Sequence, residues 1–259
     1  MTDQDDEGHE GDRVDEGRGG APGAGASVGE AGAPDEVRRH LALALDVDDL
    51  VPALRLAREL RPWFGTMKVG LELYSAAGPE AVTSLVDLGV DVFCDLKLHD
   101  IPNTVGRAAR VIGALGARYL TVHAAGGPSM VRAGVEGLRE GAAGAGAAEP
   151  TALGVTVLTS EPEVTEHLLR QRVAAGLDGG CQGFVCAAPD LATVRQLVPT
   201  AVLVTPGIRP EGSPVDDQGR VATPRAALDD GADLLVVGRP ITRADDPVAA
   251  ARALVASMA

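Results

Sequence analysis

The sequence predicts an α/β protein built as a (β/α)8 TIM barrel, and three observations lead to that prediction. From residue 37 onward, eight short apolar runs alternate strictly with eight longer segments of helical periodicity. The apolar runs are near-continuous, which is typical of parallel strands that are covered on both faces. The 223 residues from Val37 to the end of the chain fall within the usual size range of this fold.

The predicted strands and helices follow one another at the spacing of a β/α repeat. The strands are expected at residues 41–46, 65–70, 90–97, 119–124, 152–158, 183–188, 201–205 and 232–238. The helices between them are expected at residues 48–60, 79–88, 103–115, 129–139, 162–175, 189–198, 224–229 and 247–258, several of which begin with Asp or Pro. An Ala/Gly stretch at residues 141–148 is expected to be a flexible loop.

A doubly wound open sheet is the alternative fold. It would normally have fewer strands and a glycine-rich phosphate-binding turn after the first one, whereas strand 41–46 continues into Val-Asp-Asp. The barrel is therefore favoured.

Residues 1–36 differ in composition from the rest of the chain. They hold eleven Asp/Glu, two Arg and almost no large apolar side chains, so we expect a disordered acidic tail before a catalytic domain at residues 37–259. A charged arm that binds a partner is the alternative for this tail.

Composition argues against several classes of function. The net charge is −14 and no basic stripe is present, which argues against nucleic-acid binding. No uncharged apolar stretch is long enough to span a membrane, and no secretory signal is recognisable. Cys94, Cys181 and Cys186 lack C-x-x-C spacing, so we expect buried thiols in a reducing cytoplasm.

Lysine is rare in this chain. Of 23 basic residues, 21 are Arg, and Lys68 and Lys97 are the two lysines. Arginine cannot release a proton near neutral pH, so these lysines are candidates for lysine-specific chemistry. Both lie at ends of predicted strands, where this fold builds its active site. The polar residues that share this position are Asp46, Lys68, Asp95, Lys97, Asp100, His123, Thr159, Ser160, Arg209, Gly238 and Arg239.

The segment from Asp95 to Asp100 carries the most specific pattern. Alternate residues of a strand point to the same side, so Asp95 and Lys97 are expected to face the barrel axis together. Carboxylates of Asp95 and Asp100 beside Lys97 would favour its ammonium form, which can donate a proton. A purely structural ion-pair network is the alternative.

Arg209 and the Gly238-Arg239 pair follow the last two strands, a recurrent phosphate site in this fold. The polar segment after Arg209 contains Gln218 and is long enough to act as a lid. The histidines have no metal-ligand spacing, so no metal is expected.

Six motifs occur in order at the expected strand ends. They are A-L-D at 44–46, M-K-V-G at 67–70, D-x-K-x-x-D-I-P-N-T at 95–104, V-T-V-L-T-S at 155–160, T-P-G-I-R-P at 205–210 and V-V-G-R-P-I-T at 236–242. Together they resemble the orotidine 5′-phosphate decarboxylase family, over about Val37 to the C-terminus.

The resemblance implies decarboxylation of orotidine 5′-monophosphate to UMP in the cytoplasm, without metal or organic cofactor. It implies that Lys97 protonates C6 of the pyrimidine and that Asp95 lies beside the substrate carboxylate. Asp46 and Lys68 would hold the ribose hydroxyls, and a homodimer is implied. Asp100 and Thr104 would complete the neighbouring site, and the other implied substrate contacts are Ile101, Thr159, Ser160, Pro206, Arg209, Gln218, Gly238 and Arg239.

Two other functions stay open at this point. One is a Mg²⁺-dependent sugar-phosphate decarboxylase or aldolase that shares the D-x-K-x-x-D strand. The other is a non-catalytic nucleotide-binding barrel whose acidic tail contacts a partner.

Overall fold

The structure is a computed structural model that describes residues 32–158, 164–210 and 220–258, and these form a closed barrel of eight parallel strands. The strands are β1 Leu41–Ala44, β2 Thr66–Gly70, β3 Asp91–Leu98, β4 Tyr119–His123, β5 Thr151–Val155, β6 Gly183–Val185, β7 Val202–Thr205 and β8 Leu234–Val237. Each strand pairs with the next, and β8 pairs with β1. The predicted (β/α)8 barrel is confirmed, and every expected strand overlaps an observed one.

The helices surround this barrel. They are α1 Asp35–Arg38, α2 Leu50–Leu60, α3 Leu71–Ala77, α4 Glu80–Val86, α5 Pro102–Ala114, α6 Gly127–Gly144, α7 Glu166–Asp178, α8 Leu191–Leu197, α9 Pro224–Asp229, α10 Arg239–Thr242 and α11 Pro247–Ala256. The Asp49 side chain caps α2 by accepting a hydrogen bond from the Val51 amide, as the Asp-Asp start of this segment suggested. The short helices α1, α3 and α10 were not expected.

The apolar core has two layers, because each barrel strand is covered on both faces. The smaller layer fills the barrel interior and includes Ala42, Phe93, Leu153, Val204 and Val236. The larger layer lies between the strands and the surrounding helices. Burial on both faces explains why the strands appear in the sequence as continuous apolar runs.

The prediction of a flexible loop at residues 141–148 was wrong over its first half, because α6 continues to Gly144. Its glycines allow α6 to pack closely on α5. A Cβ at Gly137 would overlap the Gly106 carbonyl oxygen, and one at Gly141 would overlap that of Arg110. Glycine therefore serves close helix packing here, at some cost in helix propensity.

Residues 32–36, which were assigned to the acidic tail, belong to the described structure. The Ala33 amide donates to the Pro62 carbonyl, and α1 begins at Asp35. Residues 1–31 lie outside the described residues, so a disordered tail there stays a prediction. Within the described ranges, no helix is long and apolar enough to cross a membrane.

Candidate active site

The carboxyl ends of the strands surround a cavity of about 230 Å³. This is the end of the barrel at which this fold places its chemistry. Predicted site residues that line the cavity are Asp46, Lys68, Asp95, Lys97, Pro206, Arg209, Gly238 and Arg239.

Two lysines and two aspartates form a connected charged cluster on one side of the cavity. Lys97 Nζ donates to Asp95 Oδ1 at 2.8 Å, and Lys68 Nζ donates to Asp46 Oδ1 at 2.9 Å. Lys68 Nζ also lies 3.8 Å from Asp95 Oδ2, so the Asp95 carboxylate lies between the two ammonium groups. The side chain of Lys97 is 34% exposed and that of Lys68 is 9% exposed. Lys97 is therefore the lysine that a ligand in the cavity can reach more easily.

Strand β3 reaches this arrangement through an irregularity rather than a regular pleat. Cys94 is paired with Leu120 of β4 and Leu98 with Val122, so β3 has two more residues than β4 over this stretch. Lys97 has a φ of +49°, the left-handed region that non-glycine residues rarely adopt. Asp95 and Lys97 do meet in the cavity, as expected, but simple alternation along a strand is not the reason. A bulge that redirects a side chain beside an active site is a recurrent device.

Gly70 ends β2 directly beside the charged cluster. A Cβ at this position would lie 3.1 Å from both Asp46 Oδ1 and Lys68 Nζ, closer than ordinary van der Waals contact. Glycine therefore leaves room for the ion pair to lie against the backbone. This gives a physical reason for the final glycine of the M-K-V-G motif.

The opposite side of the cavity combines aliphatic groups with two arginines. Val155, Val157, Leu158 and Val185 form the apolar wall. Arg209 is buried, and its backbone N–H donates to the Ala222 carbonyl at 3.0 Å beside an isolated bridge between Ile208 and Ala222. Arg239 is half-buried at the start of α10, directly after Gly238 and β8. Such a surface suits a ligand with an apolar face and an anionic group.

Comparison with known families decides the relationship. The model of the "Orotidine 5′-phosphate decarboxylase / HUMPS family" matches residues 39–254. The chain belongs to this family. The resemblance drawn from the motifs is confirmed, and the match includes every strand of the barrel.

Individual members of the family are similar along nearly their whole length. The orotidine 5′-phosphate decarboxylase of Moorella thermoacetica is 46% identical over 239 residues, which is 86% of this chain and 94% of that protein. Among solved structures, the enzyme of the same name from Lactobacillus acidophilus has a TM-score of 0.67 at 34% identity, covering 85% of this chain and 99% of that one. The enzyme of that name from Pyrococcus horikoshii has a TM-score of 0.70 at 26% identity, covering 84% and 98%.

Three predicted site residues do not line this cavity. Asp100 is exposed, and its Oδ1 accepts a hydrogen bond from the Ile101 N–H at 2.6 Å. Ile101 is 65% exposed, which is unusual for a large apolar side chain, and Thr104 is exposed on the first turn of α5. Within one chain Lys97 therefore has one flanking carboxylate, Asp95, rather than the two that were expected. Thr159, Ser160 and Gln218 lie outside the described residues, as does most of the segment expected to act as a lid.

Sequence reasoning missed Thr121, which contacts both Asp95 and Lys97. Its hydroxyl lies 2.8 Å from the Lys97 amide nitrogen and 3.2 Å from Asp95 Oδ1. One feature of the sequence could have indicated Thr121, which is a polar residue inside an apolar strand. It stands two positions before His123, so both side chains are expected on the same face of the strand. His123 itself lies at the end of β4, where its ring is 5.2 Å from the ring of His99.

Cys186 lines the cavity but is not suited to nucleophilic chemistry. Burial raises the pKa of its thiol to about 12, so the thiol stays protonated at neutral pH. Burial also raises the pKa of Cys94 and of Cys181 to about 12. Over the part of the chain that the structure describes, no group of three or more His, Cys, Asp and Glu side chains is arranged to hold a metal ion.

Proposed function

We propose that the protein decarboxylates orotidine 5′-monophosphate to UMP, the last step of de novo pyrimidine nucleotide synthesis, as a cytoplasmic enzyme. The observation that carries the proposal is the Asp46–Lys68–Asp95–Lys97 cluster at the mouth of the barrel. It supplies a partly exposed ammonium group held next to a carboxylate, opposite two arginines. Relatives with 46% identity that carry the name of this enzyme add support.

The chemistry requires a proton at a carbon that has just lost CO2. The bond between C6 and the carboxylate carbon breaks and CO2 leaves. The electron pair of that bond remains on C6. Lys97 then donates a proton to C6 and becomes a neutral amine, which solvent protonates again. An ammonium group fixed before the reaction stabilises the developing negative charge without reorganisation, because Asp95 already holds it at 2.8 Å.

Asp95 faces the substrate carboxylate in this scheme, and Lys68 with Asp46 binds the ribose hydroxyls. A substrate carboxylate beside Asp95 is a like-charge contact that is relieved as CO2 departs. The nearby Lys68 ammonium, 3.8 Å from Asp95 Oδ2, limits this repulsion.

The remaining site residues are assigned to the base and the phosphate. The aliphatic wall and Pro206 face the pyrimidine, and Thr159 and Ser160 are assigned as further contacts of the base. Arg209, Gln218, Gly238 and Arg239 hold the phosphate dianion, for which arginine is well suited. Binding of the remote phosphate can then be expressed as rate at the pyrimidine.

A spectrophotometric assay with orotidine 5′-monophosphate, with and without EDTA, tests the proposal. We expect loss of orotidylate absorbance, production of UMP and equal rates in both arms. Dependence on Mg²⁺ would favour a sugar-phosphate enzyme, while tight UMP binding without turnover would favour a non-catalytic barrel.

We also propose that the enzyme is a homodimer in which Asp100, Ile101 and Thr104 complete the partner's site. Their exposure, above all that of the apolar Ile101, supports this proposal. Mixing inactive Lys97→Ala and Asp100→Ala proteins after mild dissociation tests it, since a mixed dimer would contain one site with both residues intact. Recovery of up to about a quarter of wild-type activity is expected for a two-site dimer with random reassociation. Absence of any recovery, with mixed dimers present, would refute the shared site.

A further inference from the structure

Thr121 of β4 has a hydroxyl group that touches both proposed reaction residues. The side chain is fully buried, and its Oγ1 lies 2.8 Å from the Lys97 amide nitrogen and 3.2 Å from Asp95 Oδ1. The amide can only donate, so Oγ1 accepts that hydrogen bond. The hydroxyl proton then points to Asp95 Oδ1, which is nearer and carries more charge than the other acceptor in reach, the Cys94 carbonyl at 3.4 Å.

The first of these hydrogen bonds stabilises the unusual backbone of β3. In a regular parallel ladder an amide of β3 would donate to a carbonyl of β4, but the irregularity between Cys94 and Leu98 interrupts that ladder. The Thr121 hydroxyl takes the place of the missing carbonyl. It therefore satisfies a partly buried amide and holds Lys97 at a φ of +49°, which a lysine does not adopt readily.

The second hydrogen bond fixes the carboxylate that holds the Lys97 ammonium group. Asp95 Oδ1 accepts from Lys97 Nζ at 2.8 Å and from Thr121 Oγ1 at 3.2 Å. One hydroxyl thus sets both the backbone of Lys97 and the orientation of the group that anchors its side chain.

We propose that Thr121 is a positioning residue for this reaction, which acts through Lys97 and Asp95 and touches no substrate atom. The expected change in kcat rests on the proposed function. The expected change in the positions of Lys97 and Asp95 does not depend on any activity. A displaced ammonium group affects the reacting carbon more than ground-state binding, because a misplacement of about 1 Å can cost roughly a hundredfold in rate.

Thr121→Val, Thr121→Ser and Thr66→Val form the matched set of variants. Valine keeps the shape of threonine and removes the hydroxyl, whereas serine keeps the hydroxyl. Thr66 is another buried threonine of the barrel. It is the first residue of β2, at the end of the strand away from the cavity, and it controls for the loss of a buried hydroxyl in general. We expect Thr121→Val to lower kcat by about 10- to 100-fold with the Kd for UMP within about threefold. Thr121→Ser and Thr66→Val should stay within about fivefold of wild-type kcat.

A crystal structure of Thr121→Val completes the test. The proposal expects Lys97 to leave the left-handed region, or its Nζ to move out of hydrogen-bonding distance of Asp95. An unchanged Lys97 and Asp95 geometry would overturn it, as would a kcat within threefold of wild type. Equal losses of kcat in Thr121→Ser and Thr121→Val would also overturn it. If the valine protein does not fold, Thr121→Ser decides alone, and a loss of kcat beyond about fivefold in that variant would overturn the proposal. If wild-type protein does not convert orotidine 5′-monophosphate, the proposed function fails, and the crystal structure still decides the role of Thr121.

Discussion

The two sides of the barrel mouth differ in the side chains that they present to the cavity. On the side of β1 to β3, Lys68 and Lys97 are neutralised by two aspartates of the same cluster, at 2.8–3.8 Å. On the side of β5 to β8, Arg209 and Arg239 reach a cavity whose wall is mainly aliphatic. A third arginine on this side, Arg220, does not line the cavity and is paired with Asp190 at 2.5 Å.

This difference separates reaction from recognition. A cluster whose charges are already paired is fixed before substrate binds, which suits stabilisation of a transition state. Arginines at the mouth of an apolar cavity suit an anion that the ligand brings. A variant of Lys97 on the first side should therefore change kcat more than the affinity for UMP, and a variant of either arginine on the second side should weaken the affinity for UMP.

Lys97→Ala should cause the largest loss on the reaction side. Because the proton donor and a preorganised positive charge are both removed, we expect kcat to fall by at least about a thousandfold. Binding of UMP, measured by calorimetry, should weaken by less than about tenfold.

Lys97→Arg is the control for charge alone, since arginine keeps the positive charge but cannot release its proton. It should be nearly as inactive as Lys97→Ala. Near-normal turnover in either variant would remove Lys97 as the proton donor.

Arg239→Ala should have the largest effect on the recognition side, and that effect should appear in affinity. Loss of a charge-assisted hydrogen bond to phosphate is worth about 1.5–3 kcal/mol, or roughly 10- to 100-fold in Kd for UMP. Uridine lacks the phosphate, so its affinity should hardly change. Arg243→Ala, an exposed arginine just after α10, is the matched control and should leave both affinities unchanged. Equal losses for UMP and uridine would contradict the phosphate assignment.

The sequence predicted the barrel and the membership of this cluster, for a physical reason. Strands covered on both faces must be apolar throughout, so Asp95 and Lys97 stand out at the end of such a run. The predictions that depended on local regularity were less accurate. Alternation along β3 did not foresee the bulge or the positive φ of Lys97, because both arise from pairing with β4, a strand more than twenty residues away.

Glycine and threonine show the same limit. Gly141 was assigned to a loop by composition, yet it lies within α6 because α5 packs against it. Thr121 was not selected at all, because a single hydroxyl in an apolar strand has no sequence pattern that distinguishes a contact with Asp95 from an ordinary buried threonine. Both roles depend on a neighbour that only the fold brings near.

Asp190→Ala should have the smallest effect on kcat and on the affinity for UMP. It tests whether the ion pair of Asp190 with Arg220, which lies outside the cavity on the recognition side, contributes to stability alone. The Asp190–Arg220 pair is largely buried, so removal of the carboxylate leaves an arginine with reduced compensation. Because Arg220 is still 18% exposed, we expect a loss of about 1–3 kcal/mol in the free energy of unfolding, measured with urea. Glu166→Ala, which breaks the exposed pair with Arg170, should cost less than about 0.5 kcal/mol.

Asp190→Ala should keep kcat and the Kd for UMP within about threefold. The contribution of the Asp190–Arg220 pair to the free energy of unfolding should be independent of the reaction at Lys97. A large loss of kcat without loss of stability would instead connect Asp190 to the reaction and blur the division between the two sides.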